Sequence, residues 1–181
     1  MVKRSLACLA ALVLLLGGYA LGEPLYYESP ENGIAFGLPE GWDIQSGDFP
    51  VFYALDGSGQ AVLYHEGRPI PQEDFFPQAL ATAVERLGAE SEDALETLFF
   101  TQAQGEDGKW YALASFGCVI EEVPHILSFY YFTRPDNTLA ELMAVSVNNE
   151  MGAVTRNWLD GIVQSHVPAD VMARIMQQIG Q

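Results

Sequence analysis

Positive charge is what this sequence most lacks. Its 181 residues carry 8 Lys and Arg against 24 Asp and Glu, a formal net charge of −16. Binding to phosphate backbones and anionic lipid rests on Lys and Arg releasing counterions, so a chain this acidic is excluded as a nucleic-acid binder. Cysteine is almost as scarce. Of the two, Cys8 lies in an N-terminal apolar run, which leaves Cys118 alone in the body of the chain. One cysteine makes no internal disulfide, so the fold must be held by its core. Histidine is limited to His65, His125 and His166, which fall on different expected elements. No pair has metal-ligand spacing such as i, i+4 on one helix. Internal repeats and low-complexity tracts are also missing.

What the chain does contain is apolar material. The hydrophobic fraction is 49% and the charged fraction 18%, enough for a packed core. A single domain of this length buries roughly 70% of its chain surface.

The first residues read as a targeting segment. Met1 to Arg4 is a basic start, Leu6 to Leu16 an apolar run, and Ala20-Leu21-Gly22 a small-residue cleavage site. The expected division is a signal peptide over residues 1–22 and one globular domain over 23–181. Cleavage after Ala20 and an uncleaved single-span anchor are the alternatives. Cys8 begins the apolar run rather than following it, which argues against lipidation. Cleavage removes Lys3 and Arg4 and no acid, so six cations face 24 acids, a net charge of −18. The expected location is secreted or extracytoplasmic, with no membrane insertion of the mature chain.

Tyr26 to Leu38 reads as extended segments broken at Pro30 and Asn32-Gly33. Pro39-Glu40-Gly41 is a turn before Trp42 to Gln45, and Trp42 is expected to be a buried anchor. Val51 to Leu55 and Ala61 to Glu66 flank the hairpin-like Asp56-Gly57-Ser58-Gly59. Gly67-Arg68-Pro69-Ile70-Pro71 breaks the strand pattern. Phe76, Ala79, Leu80, Ala83, Val84 and Leu87 then recur at the helical period, predicting a helix from Glu73 to Gly88, with Asp74 as a possible cap.

Four strands follow over Ala94 to Gln104, Lys109 to Ile120, Ile126 to Thr133 and Thr138 to Asn148. Their connections are Gly105 to Gly108, Glu121 to His125 and Arg134 to Asn137. Such short connections require antiparallel neighbours. Both faces of these strands are apolar, so both need cover. Two amphipathic helices close the chain, one lined by Met151, Val154, Trp158, Ile162 and Val163. The other is lined by Val171, Met172, Ile175, Met176 and Ile179. The expected fold is α+β, an α/β/α sandwich with a central antiparallel sheet covered by helices.

Tyr26 to Phe36, followed by Leu38-Pro39-Glu40-Gly41-Trp42, resembles the opening of the PsbP-like family. That family includes an extrinsic lumenal subunit of photosystem II, a Ran-binding nuclear protein and exported bacterial members. The element order continues the resemblance, and the second C-terminal helix departs from it. The resemblance implies a fold and a habit of binding proteins. It implies no catalytic residues, and the nuclear and thylakoid roles do not fit an export signal.

The chemistry-bearing residues assemble no reaction. Glu121, Glu122 and His125 share a loop that could hold a cation or be a solvated hairpin end. Asp56 to Gly59 lacks the later acids of a calcium loop. Ser58 lacks the first glycine of a nucleophile elbow. Gly105-Glu106-Asp107-Gly108-Lys109 has the wrong spacing for a phosphate loop and puts acids where phosphate would sit. Phe129-Tyr130-Tyr131-Phe132 splits between both sheet faces and reads as core. Cys118 alternates with Trp110, Ala112, Ala114, Phe116 and Ile120, and is expected to be buried and unreactive. No catalytic, cofactor or metal residue is therefore assigned, and no cofactor is expected.

The expected function is a non-enzymatic exported domain, protein-binding or scaffolding at the cell envelope. Its partner would present a neutral or basic surface, with Met172, Met176 and Ile179 as the first docking face; oligomeric state is left open. The alternatives are a small secreted hydrolase with an unrecognised carboxylate or Ser site, and an acidic calcium- or ligand-binding envelope protein.

Overall fold

The computed structural model describes residues 25–69, 75–89 and 91–179. The targeting segment, Glu73 and Asp74 lie outside these residues. The chain is a mixed α+β protein built on one large antiparallel sheet and three helices. A short hairpin comes first, β1 (Tyr26–Ser29) against β2 (Ile34–Gly37). Then come β3 (Trp42–Gln45), β4 (Val51–Ala54) and β5 (Gly59–Pro69). Helix α1 (Phe76–Leu87) and a 3-10 turn (Glu92–Ala94) lead to β6 (Glu96–Gln104), β7 (Trp110–Ile120), β8 (Val123–Thr133) and β9 (Thr138–Val147). Helices α2 (Glu150–His166) and α3 (Ala169–Ile179) finish the chain.

Seven strands form the sheet in the order β3-β4-β5-β9-β8-β7-β6, every neighbour antiparallel. The β6–β9 meander is as expected. Two local expectations fail. The connection expected over Glu121 to His125 is only Glu121-Glu122, both left-handed at φ 49° and 68°. Ile120 pairs directly with Val123, so the strand takes in Pro124. Proline is tolerated there because the Pro124 carbonyl turns to the Asn148 amide past the end of β9. An amide at Pro124 would point the same way, into no ladder. The second failure is Gly67 to Pro69, which does not end β5. The strand absorbs it as an irregularity between Glu66 and Pro69.

The predicted helix begins at Phe76, with Pro77 in its first turn, and ends at Gly88 with φ 61°. Phe75 is fully buried, and its amide donates to the Gln102 side chain at 2.8 Å. Phe76 packs edge-on against Phe100.

Period-two alternation sorts the strand side chains into two clusters. One gathers Phe52, Leu63, Tyr130, Phe132 and Leu142 with Leu159, Ile162 and Val163 of α2 and Val171 and Ile175 of α3. The hairpin β1–β2 adds Ile34 and Phe36. Trp42 is 6% exposed, as expected of an anchor, and its ring lies 4.9 Å from that of Trp158. Gly152 lets α2 meet the backbone of β9, where a Cβ would strike the Val147 carbonyl. The other cluster gathers Val62, Ala112, Ala114, Phe116, Leu127, Phe129, Tyr131 and Met143 with Phe75, Ala79 and Ala83 at α1.

Helix α3 also guards the β6 edge. Arg174 donates to the Gln104 carbonyl and Gln178 to the Gln102 carbonyl, groups an edge strand otherwise leaves open. Met172 packs against the core while Met176 is exposed, so the helix spends its apolar stripe largely inward.

Candidate functional site

The α1 side of the sheet is longer than its cover. Helix α1 lies across the strands, because the Phe75 amide at its start bonds to Gln102 and Arg86 at its end meets Glu141 and Tyr64. Gln102, Ala112, Tyr131, Glu141 and Tyr64 form one lateral row. A helix about 10–12 Å wide therefore covers strands whose 11 residues span about 36 Å. Beyond Arg86 the sheet floor continues through Gln60, Val145, Val147, Cys118 and Ile120. It is roofed by Leu87 to Ala89 and by Ala94 and Leu95 at the end of the 3-10 turn. A cavity of about 590 Å³ results, within the size range of ligand pockets, about 300–1,000 Å³. Its walls are mostly aliphatic.

Polar groups enter it at two ends. At the inner end is Arg86, whose guanidinium lies 3.8 Å from the centre of the Tyr64 ring. Its Nε is 4.0 Å from Glu141 Oε1. Tyr64, Glu141 and Tyr131 are lateral neighbours across β5, β9 and β8. Glu141 is therefore a buried acid framed by two phenols and one cation. Burial, then the Glu141 charge, pushes the Tyr131 hydroxyl far above its ordinary range. Burial also raises Tyr64, against the opposing pull of Arg86.

At the outer end lie Glu121, His125, Tyr53 and Ser58. His125 Nδ1 sits 2.8 Å from the Val123 carbonyl. A carbonyl only accepts, so Nδ1 donates; in that tautomer Nε2 is the acceptor nitrogen. Cys118 stands directly across the strand from His125, but its thiol reaches the His125 carbonyl at 3.9 Å rather than the ring. Burial raises the thiol, so the pair does not form a thiolate nucleophile. Cys118 is buried, as expected. Ser58 closes a turn on Asp56, its amide donating to Oδ1 at 2.8 Å. Bonds from Ser58 hold the Asp56 carboxyl below its usual range. Among the described residues no group of three His, Cys, Asp or Glu could hold a metal ion. Glu121, Glu122 and His125, weighed as a cation-holding loop or a solvated hairpin end, are split between a turn and a strand, and of the three Glu121 and His125 line the cavity.

The other histidines lie elsewhere. His65 packs on Phe49. His166 ends α2 against the opposite face, with Nε2 2.9 Å from the Gly33 carbonyl and Nδ1 2.5 Å from the Tyr130 hydroxyl. Nε2 must donate to the carbonyl, and in the neutral ring Nδ1 accepts from the Tyr130 hydroxyl. Burial lowers its pKa accordingly. A smaller cavity of about 270 Å³ lies beside α2, near Leu98, Leu113, Arg156 and Asp160.

Sequence reasoning missed the cavity and the Arg86–Glu141 cluster. The available signal was Glu141 itself, one acid on the alternating set Leu139, Met143, Val145. No helix among the described residues is long and apolar enough to cross a membrane.

No protein-family model matches the chain, and no curated protein matches it. Among solved structures, it is similar to a Pseudomonas aeruginosa protein of unknown function described as a candidate regulator. That likeness has 13% identity and a TM-score of 0.42, covering 81% of this chain and 98% of the other. A likeness so distant carries neither fold nor function across.

Proposed function

We propose that this chain is an exported, non-enzymatic binding domain whose working surface is the cavity at the end of the sheet. The observation that carries the reading is a cavity of about 590 Å³ with mostly aliphatic walls and no nucleophile–base pair among its described lining residues. Cys118 and His125 each bond to backbone, and Ser58 is engaged with Asp56. Export rests on the pattern of residues 1–22, and the mature protein should begin at Glu23.

The scaffold in this reading is an α/β/α sandwich of PsbP-like character. Its support is the division of the core into two clusters, one holding Ala79 and Ala83 of α1 and the other Leu159 and Ile175 of the closing helices. The Pro39-Glu40-Gly41-Trp42 turn also fits, with Gly41 at φ 79° and Trp42 buried.

A protein partner is the second reading. Val119 is 69% exposed and Val123 42%, and they flank Glu121-Glu122 at the β7–β8 tip. An apolar tip bearing two acids suits a neutral or basic partner.

The test is displacement of a neutral fluorophore, N-phenylnaphthylamine, from the mature protein, beside a broad hydrolase screen. Saturable fluorescence enhancement that Val145→Asp abolishes without unfolding the protein supports the cavity. Turnover that vanishes on replacing Ser58, Cys118 or a carboxylate would overturn the non-enzyme reading.

A further inference from the structure

Resting on that cavity reading, we infer that the site selects amphiphiles with a basic head, the amine at Glu121 and His125 and the hydrocarbon along Leu87, Leu95 and Val145. The argument is a charge balance around the cavity. Among the described residues Arg86 is the one lining Lys or Arg, and that guanidinium is already stacked on Tyr64 and faced by Glu141. The inner end therefore offers a neutralised pair under apolar walls. At the mouth, Glu121 makes no ion pair among the described residues, and its turn neighbour is a second acid, Glu122. His125 adds an acceptor at Nε2, because Nδ1 is donating to Val123. Two acceptors, one of them charged, match an ammonium donor. A carboxylate head would meet Glu121 and a molecule of formal net charge −16, and like charges repel. The stretch of sheet left uncovered beyond the crossing helix supplies the remainder, an apolar floor for a hydrocarbon body.

The experiment compares decylamine, decanol and decanoate as competitors of N-phenylnaphthylamine at pH 7 and low salt. Decylamine should displace the probe at a concentration about two- to fivefold lower than decanol, the range for one solvent-accessible charge contact. Decanoate should be the weakest. Glu121→Gln should make the amine and the alcohol equal. Glu122→Gln, next in sequence but outside the cavity lining, should leave the amine's advantage intact. Raising salt should shrink that advantage. Equal binding of all three, or equal loss in Glu121→Gln and Glu122→Gln, would overturn the head-group assignment and leave the cavity reading standing. Tightest binding by decanoate would overturn it too, and would move the head to Arg86. Displacement by none of the three would sink the cavity reading itself.

Discussion

The two faces of the sheet receive unequal cover, and the chemistry follows the inequality. On the Trp42 face, α2 has 17 residues, α3 has 11, and the β1–β2 hairpin lies beside them. On the Cys118 face, among the described residues, one 12-residue helix lies across the same strands rather than along them. Both faces bury aromatic rings fully, Phe52, Tyr130 and Phe132 on one and Phe116 and Tyr131 on the other, and the cavity beside α2 measures about 270 Å³. The Cys118 face keeps about 590 Å³ of space at one end. Its cover also sets where charge goes. The well-covered face holds a histidine between the Gly33 carbonyl and the Tyr130 hydroxyl. The short-covered face holds an acid and a cation at the boundary between helix and cavity. Where a covering element stops short of the strand ends, a binding site arises without any special loop.

The largest test of this contrast is truncation. Trp42→Ala should cost about 3–5 kcal/mol, as for other buried aromatics, while Val147→Ala on the cavity floor should cost about 1 kcal/mol or less. Urea midpoints measure both, and equal losses would mean the faces are packed alike. Glu141→Ala comes next, at about 1–3 kcal/mol. It leaves Arg86 partly exposed rather than sealed in, so the cost stays below that of a broken, fully buried pair.

The third test separates the faces by pH. Burial lowers His166 from its ordinary value of 6.5. The unfolded chain binds a proton near that value while the folded chain resists until lower pH. Its stabilisation is thus complete above about pH 6.5 and declines as pH falls through the window beneath. His166→Gln should flatten the stability–pH curve in that window, and matching slopes for variant and parent would remove the neutral-ring account. The smallest effect is kinetic. Cys118 should react slowly with a thiol reagent in the native protein and quickly once unfolded. Bound decylamine should slow the native reaction further, because Cys118 lines the same cavity; an unchanged rate would place the ligand elsewhere.

Patterns of local origin were legible in the sequence. The β6–β9 meander followed from Asp107-Gly108 and Pro135-Asp136-Asn137, whose turn chemistry works over four residues. Helix α1 followed from one periodic stripe. Trp42 and Cys118 followed from their neighbours. The β7–β8 turn was misjudged because two glutamates in left-handed conformation carry no turn signature. Only the Ile120–Val123 pairing reveals it. The cavity was invisible for a different reason. It depends on how α1 crosses strands far from it in sequence, and no residue encodes that crossing. Arg86 and Glu141 likewise meet only when α1 crosses β9.

The neighbour relation between β5 and β9 has a consequence for the order of assembly. Strands β6 to β9 are joined by connections of a few residues, so their hairpins close locally, on a timescale of roughly 1–10 μs each. The ladder from Gly59–Ser146 to Pro69–Thr138 joins segments between which α1 and three strands must already be strung. Its closure entropy is met late, since long loops cost more to close than short ones. The meander should therefore be the early scaffold, and β3, β4 and β5 should dock onto an exposed β9 edge afterwards. Pulse-labelling hydrogen exchange during refolding would see amides of β7 and β8 protected before those of β4 and β5. Simultaneous protection would mean that the β5–β9 ladder belongs to the nucleus instead. Until that ladder forms, the floor for the Val145 end of the cavity is incomplete, so ligand capture should be among the last events of folding.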